Sequence, residues 1–298
     1  MFRLAKNFES AALLFSFFTC LSFLPSKSSA QGDLLIYPKR LVFDGSKRLE
    51  EINLSNNGMD TARYAISVIE LRMKDDGSFE MVDQPEPGQH FADKNFRFFP
   101  RTVVLGPKET QVVKVQLYRT AELEPGEYRS HIYLRAEKEE KPRGEEKAPK
   151  EPSSISIRLE PVFGISIPII IRVGESTTEL NLSKVRFQLQ NDTIPTLTMD
   201  INRTGNMSAY GNILVEYVPL NSKKTGPTSI LNYNTSGKAI PVASIKGIAI
   251  YTPNAVRHVR ILLAKKPEID YHKGALRIVY KDQSGKAIKL AQEQIFLQ

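Results

Sequence analysis

From Ile155 to Ile171 every odd position is apolar: Ile155, Ile157, Leu159, Pro161, Phe163, Ile165, Ile167, Ile169 and Ile171. The even positions include Ser156, Arg158, Glu160 and Ser166, with Arg172 just beyond. A period of two marks a β-strand with one apolar face. At ~3.3 Å per residue the run would reach roughly 55 Å, about three times a usual strand, which does not fit one straight strand in one sheet. Pro161 and Gly164 mark the break, because proline donates nothing to a ladder and sits at edges or bulges. Residues 155–159 are then expected at a sheet edge, and the half after Gly164 rooted in a core. A long edge with an apolar face invites pairing unless it is charged or covered, and here Arg158 and Glu160 point to the other face. Two readings follow: a strand that completes its own domain, or one kept available for another chain.

A chain of 298 residues suits two domains of ordinary size. Residues 1–30 read as a cleaved export signal, with Arg3 and Lys6 at the start, an apolar stretch over 11–24, and Ser28-Ser29-Ala30 before Gln31. That stretch is short for a bilayer span, so no stable membrane insertion is expected. The single cysteine, Cys20, lies inside it. The mature chain would therefore carry no disulfide framework and no cysteine chemistry, and must rest on a hydrophobic core. Removing Arg3, Lys6, Lys27 and Glu9 with the signal lowers the formal charge from +8 to +6. The basic excess is spread thinly, which argues against a nucleic acid partner but favours anionic ones in general.

Residues 33–135 read as short alternating runs closed by turn chemistry, at Asp44-Gly45, Asn56-Asn57-Gly58, Asp75-Asp76-Gly77 and Gly106-Pro107-Lys108-Glu109. Glu124-Pro125-Gly126-Glu127-Tyr128 then leads into a late strand, as in the tyrosine corner of immunoglobulin-like sandwiches. Spacing and corner together predict an Ig-like β-sandwich of about seven strands. Residues 137–154 are rich in Glu, Lys, Arg, Pro and Gly and bury too little to order themselves. They are either an interdomain linker or a long mobile loop. The need for residues 155–172 as the last strand of the first sandwich favours the loop. Residues 177–298 again read as strands, so the fold class is all-β, with two immunoglobulin-like β-sandwich domains in tandem over residues 31–173 and 174–298.

No catalytic constellation is visible. The four histidines, His90, His131, His258 and His272, are isolated from one another and from carboxylates at ligand spacing. There is no nucleophile elbow and no phosphate-binding glycine loop. Asp75-Asp76-Gly77 lacks the later ligands of a calcium loop and reads as a hairpin turn. The expectation is a protein without enzymatic activity, cofactor or metal.

Three stretches together resemble the periplasmic pilus-assembly chaperones of the PapD-like family: Lys39-Arg40-Leu41-Val42-Phe43-Asp44-Gly45 with Leu54-Ser55-Asn56, Val104 through Gln111, and Gly126 through Arg135 followed by the charged loop and the alternating strand. The resemblance covers the first domain well. Over the second it rests on Asn202 through Gly211, similar to divergent branches of the family. It implies a periplasmic chaperone for pilin or fimbrial subunits, whose own sandwich lacks its final strand, and delivery of those subunits to an outer-membrane usher. The lent strand would present Ile155, Ile157, Leu159, Phe163, Ile165 and Ile167 by strand addition. The resemblance also implies two cations that hold the client's terminal carboxylate. Arg40 matches the first position. The second falls on Ser166, which carries no charge, leaving Arg172, Arg158 and Lys114 as alternatives. The competing function is a secreted two-domain module that binds polysaccharide or a surface protein.

Overall fold

A computed structural model describes residues 34–137, 164–191, 193–219, 239–283 and 289–297. The expected signal, residues 138–154 of the charged segment 137–154, and the strand positions Ile155, Ile157, Leu159 and Phe163 lie outside these residues, while Glu137 closes β10. The described chain is all-β; its helical content is a single 3₁₀ turn at Asp93–Asn95.

The first eleven strands are β1 (Leu34–Tyr37), β2 (Leu41–Phe43), β3 (Leu49–Asn56), β4 (Ala62–Ile69), β5 (Leu71–Met73), β6 (Phe79–Met81), β7 (Phe96–Phe99), β8 (Thr102–Leu105), β9 (Thr110–Leu117), β10 (Gly126–Glu137) and β11 (Gly164–Val173). Sheet β1-β3-β9-β7 faces sheet β2-β11-β10-β4-β8. Leu34, Leu54, Phe98 and Val115 of the first sheet share one core with Phe43, Ile66, Ile132 and Ile169 of the second. The remaining strands are β12 (Glu179–Gln190), β13 (Ile194–Thr204), β14 (Ala209–Val218), β15 (Ile240–Ile250), β16 (Val256–Leu262), β17 (Ala275–Asp282) and β18 (Lys289–Phe296). They form sheets β12-β13-β16 and β15-β14-β17-β18 around a second core that includes Leu197, Ile201, Val215, Ile261 and Ile278.

The first sandwich has nine strands in its two sheets, beyond the expected seven or so. Part of the excess comes from the opening run, which divides. β1 pairs with β3 in one sheet, whereas β2 runs parallel to β11 in the other. Pro38 sits at the crossing, where its missing N–H removes nothing from either ladder. The expected turns form where their chemistry lies. Asp44 accepts the Ser46 N–H at 3.1 Å, and Asp76 accepts that of Ser78 at 2.8 Å with Gly77 at φ +82°. The Tyr128 hydroxyl donates to the Glu124 carbonyl at 3.3 Å, closing the tyrosine corner.

β11 is paired along its length to β10 on one side, but on the other side β2 reaches only Ile169, Ile170 and Ile171. Ile167, Ile169 and Ile171 point into the first core, as their parity requires. Ile170, of opposite parity, is also buried, at 1% exposure, on the face where it lines a cleft together with Ala209 and Tyr210 of the second sandwich. Each such isoleucine contributes roughly 1.5–3 kcal/mol, which roots this half of the strand.

The β5–β6 hairpin forms a third, smaller contact. Met73 is buried in a cluster with Ala249 and Tyr251 of the second sandwich. The His258 N–H donates to the Asp75 carbonyl at 2.7 Å, and the Asn254 amide donates to the Asp75 carboxylate at 2.9 Å. Phe79 lies 5.4 Å from the Tyr251 ring. Met73→Ala is expected to cost about 2 kcal/mol and to speed tryptic cleavage after Arg72 and Lys74, measured by mass spectrometry. An unchanged cleavage rate would mean that the Asp75 contacts alone hold the hairpin.

Between β4 and β5, both carboxyl oxygens of Glu70 are buried without a hydrogen-bond partner. Burial raises this carboxyl to about 7, the nearby Ser130 hydroxyl offsets part of that, and Asp93 adds to the rise. The folded chain thus holds a proton that the unfolded chain releases near the ordinary value of 4.5. Stability contributed this way is complete below that value and is lost as pH rises toward 7. Glu70→Gln should therefore gain on the order of 1–2 kcal/mol at pH 8, allowing for residual access to water, and nothing at pH 4. Urea melts at the two pH values check this.

Candidate functional site

Where the two sandwiches meet, a cleft of about 280 Å³ is lined by Arg40, Arg129, Pro168, Ile170, Tyr210 and Arg257, among others. Its walls come from the crossing between β1 and β2, the β5–β6 hairpin, the outward face of β10, the even positions of β11, and residues of β14, β15 and β16. Arg40 leaves the crossing and lays its guanidinium over the Tyr210 ring, 3.9 Å from the centroid. Such stacking on an aromatic face is a favourable use of a cation whose head is partly removed from water.

Behind the cleft lies a buried ion cluster. Glu127 accepts from Arg129, from Arg172 at 3.0 Å, from the Ser208 N–H at 3.0 Å and from the Ser208 hydroxyl at 2.7 Å. Arg129 also donates to the Ser208 hydroxyl at 2.7 Å and covers the Tyr251 ring at 3.4 Å. Arg172 donates to the Ser208 carbonyl at 3.0 Å. Burial alone would raise the Glu127 carboxyl, but the two guanidiniums, Arg129 and then Arg172, outweigh it and hold the group at about 2. One carboxylate from the first sandwich thus organises two arginines of its own sheet around Ser208 of the second.

Next to this cluster His131 is buried, stacked on Tyr251 with centroids 6.1 Å apart. Burial, with Arg129 adding to it, pushes its imidazole down to about 3, so it is neutral at physiological pH. Burial also lowers Arg40, with Arg172 as the next cause, and it lowers Arg257. Among the described residues no group of three or more His, Cys, Asp or Glu side chains stands where it could hold a metal ion.

Of the residues singled out in the sequence, Arg40 lies on the cleft. Ser166 lies further along β11, opposite Tyr133 of β10. Arg172 is committed to Glu127 and Ser208. Lys114 sits exposed on β9, in the sheet that lacks β11, between Glu51 and Phe99. Arg158 is outside the described residues. Along the strand of interest, Ile165 is 39% exposed and Ile167 only 3%. Over Gly164–Pro168, β11 has a partner on one side only among the described residues. Glu127, Arg129 and Ser208 fall in stretches singled out in the sequence but were given no site role there, and Arg257 was not singled out. Glu127 and Arg129 alternate along a strand with Tyr128 and Ser130, a pattern that reads as a solvated face.

No family model and no curated protein matches the chain. Solved structures similar to it over nearly its whole length include those of fimbrial and periplasmic chaperones. The class 5 fimbriae chaperone CfaA is 15% identical, with a TM-score of 0.41, covering 89% of this chain and 99% of that one. A chain of the CsuC–CsuE chaperone–tip adhesion subunit pre-assembly complex, from archaic chaperone-usher Csu pili of Acinetobacter baumannii, is 12% identical, with a TM-score of 0.40, covering 88% and 98%. The periplasmic chaperone SfaE is 9% identical, with a TM-score of 0.36, covering 88% and 98%.

Proposed function

We propose that this protein is a periplasmic chaperone that stabilises pilin-type subunits by lending them the last strand of its first sandwich, about residues 155–171, before delivery to an outer-membrane usher. In this reading residues 31–173 and 174–298 are the two domains, residues 137–154 are a loop within the first, and residues 1–30 are a cleaved export signal. The protein performs no bond chemistry and needs no cofactor. Arg40 anchors the client's terminal carboxylate.

The observation that carries the reading is the half-paired strand. Over Gly164–Pro168 the main chain of β11 has one free edge among the described residues, and the apolar alternation continues upstream through Phe163, Leu159, Ile157 and Ile155. A free edge with an alternating apolar face is what strand addition requires: main-chain bonds supply affinity and every second side chain fills a pocket. Ile155, Ile157 and Leu159 together would bury enough for roughly 5–9 kcal/mol gross, before ordering costs. Ile167 already belongs to the first core and gives the lent strand its root.

Co-purification of the tagged chain from periplasm tests the proposal. A stoichiometric small protein is expected, with a β-sandwich sequence one strand short, on a chaperone whose N-terminus is at or near Gln31 by mass spectrometry. Recovery of polysaccharide in place of such a subunit, or retention of Met1, would overturn it.

A further inference from the structure

We infer that Arg203 is the positioning residue of the joint between the two sandwiches: it holds two turns of the second sandwich in the places from which Ser208 reaches Glu127 and Asn254 reaches Asp75. This role belongs to the joint itself and does not depend on client capture. Arg203 has the parity of Met199 and Ile201 on β13, so its stem runs along the end of the second core, where it is 5% exposed.

Among the described residues the hydrogen bonds of its guanidinium all go to backbone carbonyls. Nε donates to Asn254 at 2.9 Å and Nη2 to Pro253 at 3.3 Å, both in the turn between β15 and β16. Nη1 donates to Gly205 at 2.8 Å, Met207 at 3.0 Å and Thr204 at 3.3 Å, all at the turn between β13 and β14. The Arg203 backbone N–H completes the tie, donating to the Ala255 carbonyl at 2.7 Å. A planar fork of N–H donors can serve the carbonyls of two turns at once, which an ammonium or a thioether cannot. Burial pulls the guanidinium below its ordinary range, with Glu127 opposing. An apolar side chain would fill the same space without that cost, so the arginine is there for what it holds.

Both turns carry contacts that tie the second sandwich to the first. Just past Met207, the Ser208 N–H and hydroxyl donate to Glu127 at 3.0 and 2.7 Å. In the same turn Asn206 accepts the Thr177 N–H at 2.9 Å and donates to the Glu175 carbonyl at 3.0 Å, in the segment that joins the sandwiches. Gly205, at φ +81°, has no room for a Cβ, which would stand 2.4 Å from the Thr177 carbonyl oxygen, so this turn lies directly on the joining segment. The other turn follows Tyr251, which lies under the Arg129 guanidinium, and presents Asn254 to the Asp75 carboxylate at 2.9 Å. Glu127, Asp75 and the joining segment are thus all reached through two turns that one side chain holds together.

The test measures residual dipolar couplings of backbone amides on the full mature chain, ¹⁵N-labelled and weakly aligned in filamentous phage. For the wild type one alignment tensor is expected to fit both sandwiches. Arg203→Met should keep the core amide shifts of each sandwich and lose the common tensor, so that the two sandwiches require tensors of different size and orientation. An arginine that only completed the second core would behave otherwise: its loss would lower the melting temperature of that sandwich and leave one tensor for both. Should Arg203→Met fail to fold, Arg203→Lys takes its place, since it keeps the charge and cannot hold both turns. Ser208→Ala with Asn254→Ala removes the two contacts, keeps the arginine, and should lose the common tensor as well. Its survival in the folded Arg203 variant or in the double variant would overturn the inference, as would two tensors in the wild type.

Discussion

Glu127→Ala is expected to destabilise the protein by about 3–5 kcal/mol, because it leaves the guanidiniums of Arg129 and Arg172 buried without their shared anion. For a chain of this size that is a fall of roughly 6–20 °C in melting temperature. Calorimetry should also show the loss of coupling, since Ser208 of the second sandwich is held by the same carboxylate. Where the wild type melts in one transition, the variant should show two. Replacing the whole cluster, with Glu127→Leu, Arg129→Met and Arg172→Met together, should recover much of the loss, since well-packed apolar groups spare the desolvation of three charges. The pH dependence has a definite sign. The Glu127 carboxyl is held at about 2, below its ordinary 4.5, so its contribution is complete above 4.5 and disappears as pH falls toward 2. A variant no less stable than wild type at pH 7 would show that the cluster only fills space.

The second large effect concerns the lent strand. Ile157→Asp with Leu159→Asp is expected to abolish client capture while leaving the melting temperature within about 2 °C of wild type. Each carboxylate would have to enter an apolar pocket of the client without a partner, at a cost of several kcal/mol. Ile169→Asp provides the contrast. That side chain has 0% exposure in the first core, and its strand is paired there on both sides, to β10 and to β2. It should unfold the first sandwich outright. The two substitutions sit on one alternating run, so a difference between them measures where the run passes from self-completion to donation. If the Ile157/Leu159 pair unfolds the protein as Ile169→Asp does, the strand completes its own sandwich throughout and donates nothing.

Local chemistry made much of this architecture legible before any coordinates. A period of two declares a strand and its apolar face, and Ile167, Ile169 and Ile171 do point into one core. Asp44-Gly45 and Asp76-Gly77 declare turns because their side-chain and φ preferences act over two or three residues. Tyr128 four residues after Glu124 declares the corner that its hydroxyl closes. These signals depend on neighbours in sequence, so one chain suffices to read them.

What the tertiary structure decided depends on residues far apart. At Pro38 the chain passes from one sheet to the other, a choice made by which partner, β3 or β11, lies alongside. Ile170 carries the wrong parity for the first core and is nonetheless buried, on the face it shares with Ala209 and Tyr210 of the second sandwich. Glu127, Arg129 and Arg172 look like solvated charges on their strands, and become a buried cluster once Ser208 closes over them. Arg40 and Arg257, more than two hundred positions apart, line one cleft. Burial and charge pairing are properties of the packed pair of sandwiches, and no periodicity along a single strand encodes which charges water will be excluded from.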